Sequence, residues 1–398
     1  MTDQPGPLDG VRIVDLSAMI SGPVATMLLA DQGADVIKVE PPGGDLVRRM
    51  GASRGGISAT FVSSNRSKRS MVLDLKSAAG IEALRRLVRT ADVFVQNFRP
   101  GAAERMGIGE SAMRAEREDL IYVSISGFGE TGPYAGQRVY DPVIQALSGL
   151  AAIQADTETG RPRMVRTIVP DKVTAVTAAQ AITAALFARE RNGRGQHVRL
   201  AMLDAMVAFL WPEGMTGHTF VGGEVSASRS QLAQDLIFET TDGWITAGAV
   251  SDTEWAGMCR ALARPEWQDD ARFASAQERI RNVAERLRLT ARVLLTGSSA
   301  DWLRRLEEEG VPCAPVLSRA EVIEHEQIRA NDLLARYDHP EAGRIRQPRP
   351  AARFDGTPAR IHRQAPALGA DTDALLAELG YDMEERRTFR TDMPAGRD

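Results

Sequence analysis

The sequence predicts an α/β protein whose larger domain is a Rossmann-like, doubly wound parallel sheet. Short apolar runs rich in β-branched residues alternate with helical patterns along the first half of the chain, as expected of repeated β-α-β units. The first such unit spans about thirty residues. The total length of 398 residues exceeds what one hydrophobic core usually supports, so a second, smaller α+β domain is expected as well.

The opening β-α-β unit is the clearest of these patterns. Residues 11–16 form an apolar run that is predicted to be a strand, and a turn follows it. Pro23 suits the first turn of a helix that continues to Gln32, and Gly33 ends that helix. The next strand is predicted at Asp35–Glu40. Sheets built from such units bind ligands beyond the carboxyl ends of their strands.

The same alternation continues as far as residue 210. Further strands are predicted at residues 70–75, 92–96, 120–125 and 198–202, and Ser77 caps one of the intervening helices. A long helix rich in small residues follows Asp171 and ends at Asn192-Gly193. Its apolar side chains recur at helical spacing, so we expect them to be buried: Val173, Val176, Ala179, Ile182 and Leu186.

A glycine- and serine-rich stretch divides the chain. We assign residues 1–216 to the large domain, 217–230 to a linker, 231–330 to the small domain and 331–398 to a C-terminal segment. In the small domain, Thr241-Asp242-Gly243 predicts a β-hairpin turn. Helices are predicted at residues 252–263, 276–295 and 299–309, a short strand at Val316-Leu317, an extended stretch at 340–366 and a last helix at 371–379.

Composition and charge limit the function. The formal net charge of −4 argues against a nucleic-acid binder, whose affinity depends on neutralising many phosphates. Cys259 and Cys313 are the only cysteines, so neither a disulfide framework nor a cysteine zinc site is indicated, and a cytoplasmic location fits best. The N-terminus lacks a signal-peptide pattern and no apolar run reaches the ~18 residues of a membrane span, so we expect no membrane partner.

Asp171 is the candidate catalytic residue that the local pattern offers. It follows Pro170 at the predicted start of the long helix, and we expect its side chain at the N-cap, where it accepts hydrogen bonds from first-turn amides. An ordinary capping carboxylate and a nucleophile both fit this position. Local sequence leaves the two interpretations open.

Two familiar motifs fail their structural requirements. Glu40 lies where a dinucleotide site has its ribose ligand, but only Gly22 of the glycine pattern is present. Residues 51–55, Gly-Ala-Ser-Arg-Gly, match a serine hydrolase elbow as a string, but the arginine-rich residues before them do not form an apolar strand. Nicotinamide binding and a serine nucleophile are therefore disfavoured.

Basic residues occur in two sets. One set lies around the predicted third strand and fits either solvated surface or a phosphorylated ligand: Arg48, Arg49, Arg54, Arg66, Lys68 and Arg69. The other set lies, with an asparagine, at or just after predicted strand ends: Lys76, Asn97, Arg99, Arg105 and Arg138. That placement favours ligand binding.

Histidine is sparse and its placement is informative. The first of the five histidines is His197, which excludes a histidine acid or base from the earlier strand-end loops. His197 itself lies on a predicted strand and is expected to be structural. His325-Glu326 lacks the second histidine of a zinc helix, because Arg329 stands at that position. We predict no metal.

Several stretches match one known family in order and spacing from residue 8 to about residue 380. They are LDGVRIVDLS, SGPVATMLLADQGADVIKVEPPGGD, NRSKRSMVLDLK, ADVFVQNFRPGAAERMG, SISGFGETGPYAG, YDPVIQALSGL, ARERNGRGQHVRLAMLDAM, VPCAPV and APALG. The chain resembles the class III CoA-transferases, the group of formyl-CoA transferase, carnitine CoA-transferase and α-methylacyl-CoA racemase.

The resemblance implies that Asp171 is a nucleophile that forms an acyl-aspartyl anhydride and then an aspartyl-CoA thioester. The enzyme would move CoA from an acyl-CoA donor to a small carboxylic acid, with coenzyme A as substrate and no prosthetic group. The resemblance also implies an interlocked homodimer whose C-terminal segment returns to the large domain. The implied CoA contacts are Ile20, Ser21, Leu73, Lys76, Asn97, Phe98, Arg99, Arg105, Arg138 and Tyr140.

Departures from the family pattern limit these expectations. Ile20 stands where formyl-CoA transferase has a glutamine, and Pro41 where it has a CoA-contacting arginine. The glycine run of that enzyme has no counterpart, and residues 231–237 offer none. Tyr140 stands where the racemases have a histidine, which disfavours that subclass. An acyl-CoA racemase and a catalytically silent CoA-binding protein are the alternatives.

Overall fold

The structure is a computed structural model that describes residues 4–156, 159–222 and 235–390. Its strands are β1 Arg12–Asp15, β2 Asp35–Glu40, β3 Ser53–Arg54, β4 Ile57–Ser58, β5 Lys68–Val72, β6 Val93–Gln96, β7 Ile121–Ser126, β8 His197–Ala201, β9 Ile237–Glu239, β10 Trp244–Ala247, β11 Cys313–Pro315, β12 Leu334–His339 and β13 Gly343–Pro348.

The α-helices of the described residues complete the framework. They are α1 Ser21–Asp31, α2 Ala59–Asn65, α3 Ala78–Arg89, α4 Ala102–Arg105, α5 Glu110–Glu116, α6 Asp141–Leu147, α7 Leu150–Ile153, α8 Val169–Asn192, α9 Met202–Gly214, α10 Asp252–Ala261, α11 Ala276–Arg281, α12 Val283–Leu294, α13 Ser299–Glu308, α14 Arg319–Glu324, α15 Glu326–Ala330, α16 Thr372–Glu378 and α17 Met383–Arg390.

A six-stranded sheet organises the first compact unit, which comprises residues 1–212 and 332–398. Its order is β5-β2-β1-β6-β7-β8, and each strand runs parallel to its neighbours. The predicted α/β fold with a parallel sheet is confirmed. The chain moves outward from β1 in one direction and then returns to β6, so the topological switch point lies between β1 and β6.

The core of this unit lies on both faces of the sheet. Val14 packs on one face with α3, α5 and the C-terminal helices, whereas Ile13 packs on the other face with α1 and α8. Successive strand residues point to opposite faces, so the apolar runs that predicted the strands are needed to cover both layers. The C-terminal segment is fixed by hydrogen bonds, including one that the Ser70 amide donates to Asp371 Oδ2 at 2.8 Å.

The second compact unit spans residues 213–331. It contains the three-stranded antiparallel sheet β11-β10-β9, and the predicted hairpin between β9 and β10 is confirmed. Its core is aromatic, with Trp255 and Trp267 stacked at 6.4 Å between ring centroids. Of the predicted linker, residues 223–230 lie outside the described part of the chain. None of the described helices is long and apolar enough to cross a membrane.

Local expectations failed where side chains gave weak or mixed signals. The predicted helix at 276–295 is interrupted, because Asn282 ends α11 and α12 begins at the next residue. The short strand is β11, which ends before Val316, and the stretch at 340–366 contains β13, antiparallel to β12. The arginines and the proline of β13 leave no regular alternation of apolar and polar residues, so the pairing of β12 with β13 was not predicted.

The long helix α8 buries three residues of the expected stripe, Ala179, Ile182 and Leu186, but not Val176. Val176 is 60% exposed, whereas Ala175, Ala178 and Ala185 are buried against the core face that α1 also covers. The alanines allow α8 to pack closely against α1. This close packing determines which face of α8 is buried, and Val176 lies outside that face. The helix thereby brings its first turn to the carboxyl end of β1.

Candidate active site

A cleft of about 300 Å³ lies beyond the carboxyl ends of β1 and β6, at the switch point of the sheet. Parallel doubly wound sheets bind their ligands at this point because the loops after the two strands diverge there. The residues of the cleft that carry polar or catalytic chemistry, with their immediate neighbours, are Met19, Ile20, Ser21, Asn97, Phe98, Arg99, Arg138, Tyr140, Asp141 and Asp171.

Asp171 occupies the third position of α8, and the expectation that it is the N-cap is wrong. The helix begins at Val169, and Ile168 is its N-cap residue. Pro170 fits the second helical position, because the first-turn amides need no partner within the helix. The helix therefore starts three residues earlier than expected, and the Asp171 carboxylate is turned toward neighbouring elements.

Ser21, the first residue of α1, lies beside Asp171 in the cleft. The hydroxyl and the backbone amide of Ser21 face the Asp171 carboxylate as hydrogen-bond donors and lower its pKa. Burial acts in the opposite direction and most strongly, and the nearby Asp141 carboxylate adds to it, so the pKa of Asp171 is raised to about 6. Ionised Asp171 is thus a more basic and less solvated carboxylate than an ordinary surface aspartate.

Asp141 is a functional candidate that the sequence analysis did not single out. It is 3% exposed, and its Oδ2 atom accepts a hydrogen bond from the Asp171 amide at 3.2 Å. Gln145 donates to the other oxygen, Oδ1, at 2.6 Å and accepts from the Val165 amide at 2.9 Å. Asp141 thereby joins α6 to the first turn of α8. The signal was available, since a carboxylate directly before Pro142 marks a helix start.

The loops after β1 and β6 are joined by one side chain. Asn97 Oδ1 accepts from the Ala18 amide at 2.9 Å, and Asn97 Nδ2 donates to the Ala18 carbonyl at 2.8 Å. This paired contact fixes the position of Ile20 and Ser21, which follow directly. It connects the two strands that flank the switch point.

The structure brings together most, but not all, of the residues expected to contact CoA. Ile20, Ser21, Asn97, Phe98, Arg99, Arg138 and Tyr140 line the cleft with Asp171. Three others do not line it. Leu73 is 1% exposed within the core, whereas Lys76 and Arg105 are exposed before α3 and at the end of α4.

Most of the early basic set is committed to ion pairs inside the protein. Arg48 pairs with Glu40 at 2.7 Å, Arg66 with Asp31 at 2.8 Å, and Lys68 with Asp15 at 2.9 Å. Arg69 likewise pairs with Asp35 and Glu378. These four cations support the fold, so the phosphate interpretation fails for them.

A larger cavity of about 550 Å³ lies beside the cleft at the ends of β6, β7 and β8. Here the His197 ring bonds to the Ser124 hydroxyl at 2.8 Å and packs edge-on against Tyr122. Burial lowers the pKa of His197, so the ring is held neutral. Among the described cavities, Asp171 lines only the smaller cleft.

The arrangement suits nucleophilic chemistry by a carboxylate. Within the described ranges, no group of three or more His, Cys, Asp or Glu side chains could hold a metal ion. The exposed Arg99 and Arg138 offer positive charge at the rim of the cleft, where a phosphorylated ligand could be held.

Comparison with known proteins places these features in context. Residues 8–372 match CoA-transferase family III. A succinyl-CoA:glutarate CoA-transferase from Mus musculus is 34% identical over 388 residues, covering 96% of this chain and 88% of that protein. A succinate–glutarate CoA-transferase from Agrobacterium fabrum is also 34% identical, with 95% and 98% covered. The crystal structure of Rv3272 from Mycobacterium tuberculosis superposes with a TM-score of 0.83 at 29% identity, covering 94% of this chain and all of that one.

Proposed function

This chain belongs to CoA-transferase family III, and from that premise we propose that Asp171 carries the CoA during transfer. The coarse activity follows from membership: the enzyme transfers CoA between an acyl-CoA and a carboxylic acid. The observation that supports a role for Asp171 is its carboxylate, which opens onto the switch-point cleft beside two donors from Ser21.

The proposed reaction begins with attack of an Asp171 carboxylate oxygen on the donor thioester carbonyl. The carbon–sulfur bond breaks, which leaves an acyl-aspartyl anhydride and the CoA thiolate. The thiolate then attacks the aspartyl carbonyl of the anhydride, expels the donor carboxylate and forms an aspartyl-CoA thioester. Covalent catalysis divides one difficult exchange into easier steps.

The second half of the reaction reverses these steps with the acceptor. The acceptor carboxylate attacks the aspartyl thioester, releases the thiolate and forms a new mixed anhydride. The thiolate attacks the acceptor carbonyl, which gives the new acyl-CoA and restores the Asp171 carboxylate. No step requires proton transfer, and none of the described residues that line the cleft is a histidine.

The pKa of Asp171 supports the nucleophilic role. At about 6 it leaves the carboxylate ionised at neutral pH while making it more basic than an ordinary aspartate, and basicity raises nucleophilicity. Each tetrahedral intermediate carries an oxyanion that preorganised donors can stabilise. The Ser21 amide and hydroxyl are donors placed to act on the reacting carboxylate.

We assign the phosphates of CoA to the cationic rim of the same cleft. Arg99 and Arg138 are exposed there, and a guanidinium binds phosphate oxygens through paired hydrogen bonds. Lys76 and Arg105 would then contact the more distant part of a long ligand. The acceptor is proposed to be a short dicarboxylic acid, with succinyl-CoA as donor, as the names of both curated relatives suggest.

The test is direct capture of the intermediate. The enzyme is incubated with succinyl-CoA, treated with hydroxylamine and digested, and the modified residue is identified by mass spectrometry. We expect a hydroxamate on Asp171 in the wild type and none in Asp171→Asn. CoA exchange to glutarate should be lost in parallel.

The alternatives give different outcomes. A racemase would exchange the α-proton of a branched acyl-CoA in deuterated water without forming an adduct, and a silent binding protein would do neither. Absence of any adduct across a broad acyl-CoA panel, with Asp171→Asn indistinguishable from wild type in turnover, would overturn the proposed mechanism.

We also propose that the enzyme is the homodimer that the family resemblance implies. Light scattering should give a mass near twice the 43.2 kDa of one chain. A mass of one chain at micromolar concentration would contradict this assignment.

A further inference from the structure

The loop between β1 and α1 has an unfavourable backbone conformation directly before the cleft. Met19 has φ of +68°, in the left-handed region that residues with a side chain rarely adopt. Such a conformation is unfavourable for a residue with a side chain and persists only where surrounding contacts hold it. Ile20 and Ser21 follow Met19, so its conformation decides where the Ser21 donors point.

Two side chains hold this conformation. Asn97 binds the amide and carbonyl of Ala18. Asp45 Oδ1 accepts from the Met19 amide at 3.3 Å and from the Val47 amide at 3.1 Å. Asp45 is 4% exposed, so this carboxylate belongs to the interior of the protein and not to the cleft.

Asp45 is part of a buried charge network, which we define as Asp15, Lys38, Asp45 and Lys68. Lys38 Nζ lies 3.0 Å from Asp45 Oδ2 and donates to the Ser17 carbonyl at 2.9 Å. Asp15 accepts from the Ser17 amide at 2.9 Å and pairs with Lys68. Lys68 also donates to the Pro23 carbonyl at 2.8 Å. The network thus forms hydrogen bonds to the backbone on both sides of Met19, at Ser17 and at Pro23.

Stability alone does not explain four buried charges. Desolvating each ion costs several kcal/mol, and apolar residues of similar volume often serve a core equally well. What the charges provide is fixed geometry, because the network bonds to backbone atoms of Ser17, Met19 and Pro23. A buried polar network that bonds to the backbone in this way favours one arrangement of the chain.

We propose that Asp45, held by Lys38, is a positioning residue that keeps Met19 left-handed and so aims the Ser21 donors at Asp171. This assignment rests on the proposed function, because it concerns the carboxylate that would form the adduct. The chain of contacts is continuous within one compact unit, from Lys38 to Asp45, through the Met19 amide to Ser21 and then to Asp171.

The experiment compares Asp45→Asn with Asp31→Asn in the rate of hydroxylamine-sensitive adduct formation from succinyl-CoA. Asp31 is a matched control: it is equally buried and paired with Arg66 at 2.8 Å, but it lies at the opposite end of α1. We expect Asp45→Asn to slow adduct formation at least about tenfold, because small displacements of catalytic donors reduce rates strongly. Asp31→Asn should stay within about twofold, the residue having no contact with the loop.

Two further readouts separate positioning from general damage. The pH midpoint of adduct formation should rise in Asp45→Asn, because weaker Ser21 bonds lower the Asp171 pKa less, while Asp141 continues to raise it. Adding Met19→Gly to Asp45→Asn should raise the rate of adduct formation at least about threefold above that of Asp45→Asn alone, since glycine adopts positive φ without steric cost. If Asp45→Asn fails to fold by circular dichroism, Lys38→Met is measured in its place.

The outcomes are distinguishable. Wild-type protein that forms no adduct refutes the proposed function itself. Wild-type adduct formation with a folded Asp45→Asn of unchanged rate and midpoint overturns the positioning role alone. Equal slowing by Asp31→Asn, or no recovery with Met19→Gly, also overturns it.

Discussion

Asp15 and Asp171 are carboxylates of the same compact unit, on either side of the β1–α1 loop, and their environments move their pKa values in opposite directions. Asp15 is fully buried, and burial alone would raise its pKa, but Lys68, Lys38 and two hydroxyls outweigh this and lower it to about 2. Asp171 is less buried, yet its pKa rises to about 6, because burial raises it, the Asp141 carboxylate raises it further, and no cation offsets the two. The partners of a carboxylate, more than its depth, decide whether it is a structural anion or a reactive one.

The largest expected effect comes from neutralising the reactive member of the pair. Asp171→Asn should lower CoA transfer at least about 10⁴-fold, as expected for loss of a nucleophile. The same change should raise the free energy of unfolding at pH 7. Because the folded-state pKa of about 6 exceeds the ordinary 3.8, ionised Asp171 destabilises the fold above pH 6, and this effect disappears as pH falls through 3.8.

Urea unfolding of Asp171→Asn between pH 4 and pH 8 measures that difference, and steady-state exchange to glutarate measures the activity. A variant that is inactive and less stable than wild type at every pH would contradict the comparison, since Asp171 would then be an ordinary structural carboxylate.

Neutralising the structural member should damage stability instead. Asp15→Asn leaves Lys68 buried without its partner, which should lower the free energy of unfolding by about 3–5 kcal/mol. Since the folded-state pKa of Asp15 is lowered, its contribution is present above pH 3.8 and is lost as pH falls toward 2. Urea unfolding at pH 7 and pH 3 checks both statements.

The control for Asp15→Asn is Glu378→Gln, which breaks the ion pair between Glu378 and Arg69. The Glu378 side chain is 42% exposed, so this pair is partly open to solvent. Exposed pairs contribute about 0–1 kcal/mol, so this variant should unfold close to wild type. Equal losses in the two variants would mean that burial of the Asp15–Lys68 pair has no special energetic weight.

A smaller effect is expected from neutralising Asp141, the carboxylate beside Asp171. Asp141→Asn removes the second cause that raises the Asp171 pKa, so the pH midpoint of adduct formation should fall below about 6. The pH dependence of single-turnover adduct formation measures it. Asp119→Asn serves as a control. Asp119 pairs with Arg117 just before β7, at the amino ends of the strands, whereas the cleft lies at their carboxyl ends. A midpoint that rises or stays fixed in Asp141→Asn would remove Asp141 from the electrostatics of the site.

The smallest expected effect is that of the Ser21 hydroxyl, because the Ser21 amide remains in place. Ser21→Ala should slow adduct formation about tenfold, the lower end of the range for a hydrogen bond to a charged group, and should raise the pH midpoint. Ser64→Ala is the matched control: Ser64 is also buried, but its hydroxyl bonds to the Thr60 carbonyl of its own helix. Equal rates for Ser21→Ala and wild type would leave the amide as the only relevant donor.

Sequence patterns predicted the parallel sheet because its evidence is local. The apolar run Asp35–Glu40 and the stop at Gly33 are properties of a few neighbouring residues, and the structure has a strand and a helix end there. The failures lie where local signals conflict. On β13, two arginines and a proline interrupt the apolar pattern expected of a strand. On α8, the predicted buried stripe included Val176, which is exposed.

The candidate site was only partly accessible to such patterns. Asp171 was identified through the family resemblance, since its position after Pro170 fitted a cap equally well. Asp141 was missed although it stands beside Tyr140 in a stretch that matches the family, because its distance from Asp171 in the sequence gives no hint of contact. The roles of Lys38 and Asp45 were hidden for the same reason.

By itself, then, the sequence determined the α/β class, the order of most strands and the carboxylate on which the family chemistry is proposed to rest. Only the tertiary structure decided which charges meet: Ser21 with Asp171, Asp141 with the first turn of α8, and Lys38 with Asp45. The physical reason is that periodicity arises from contacts between residues two to four apart, whereas the pKa of a carboxylate depends on partners that only the packed sheet and helices bring within a few ångströms.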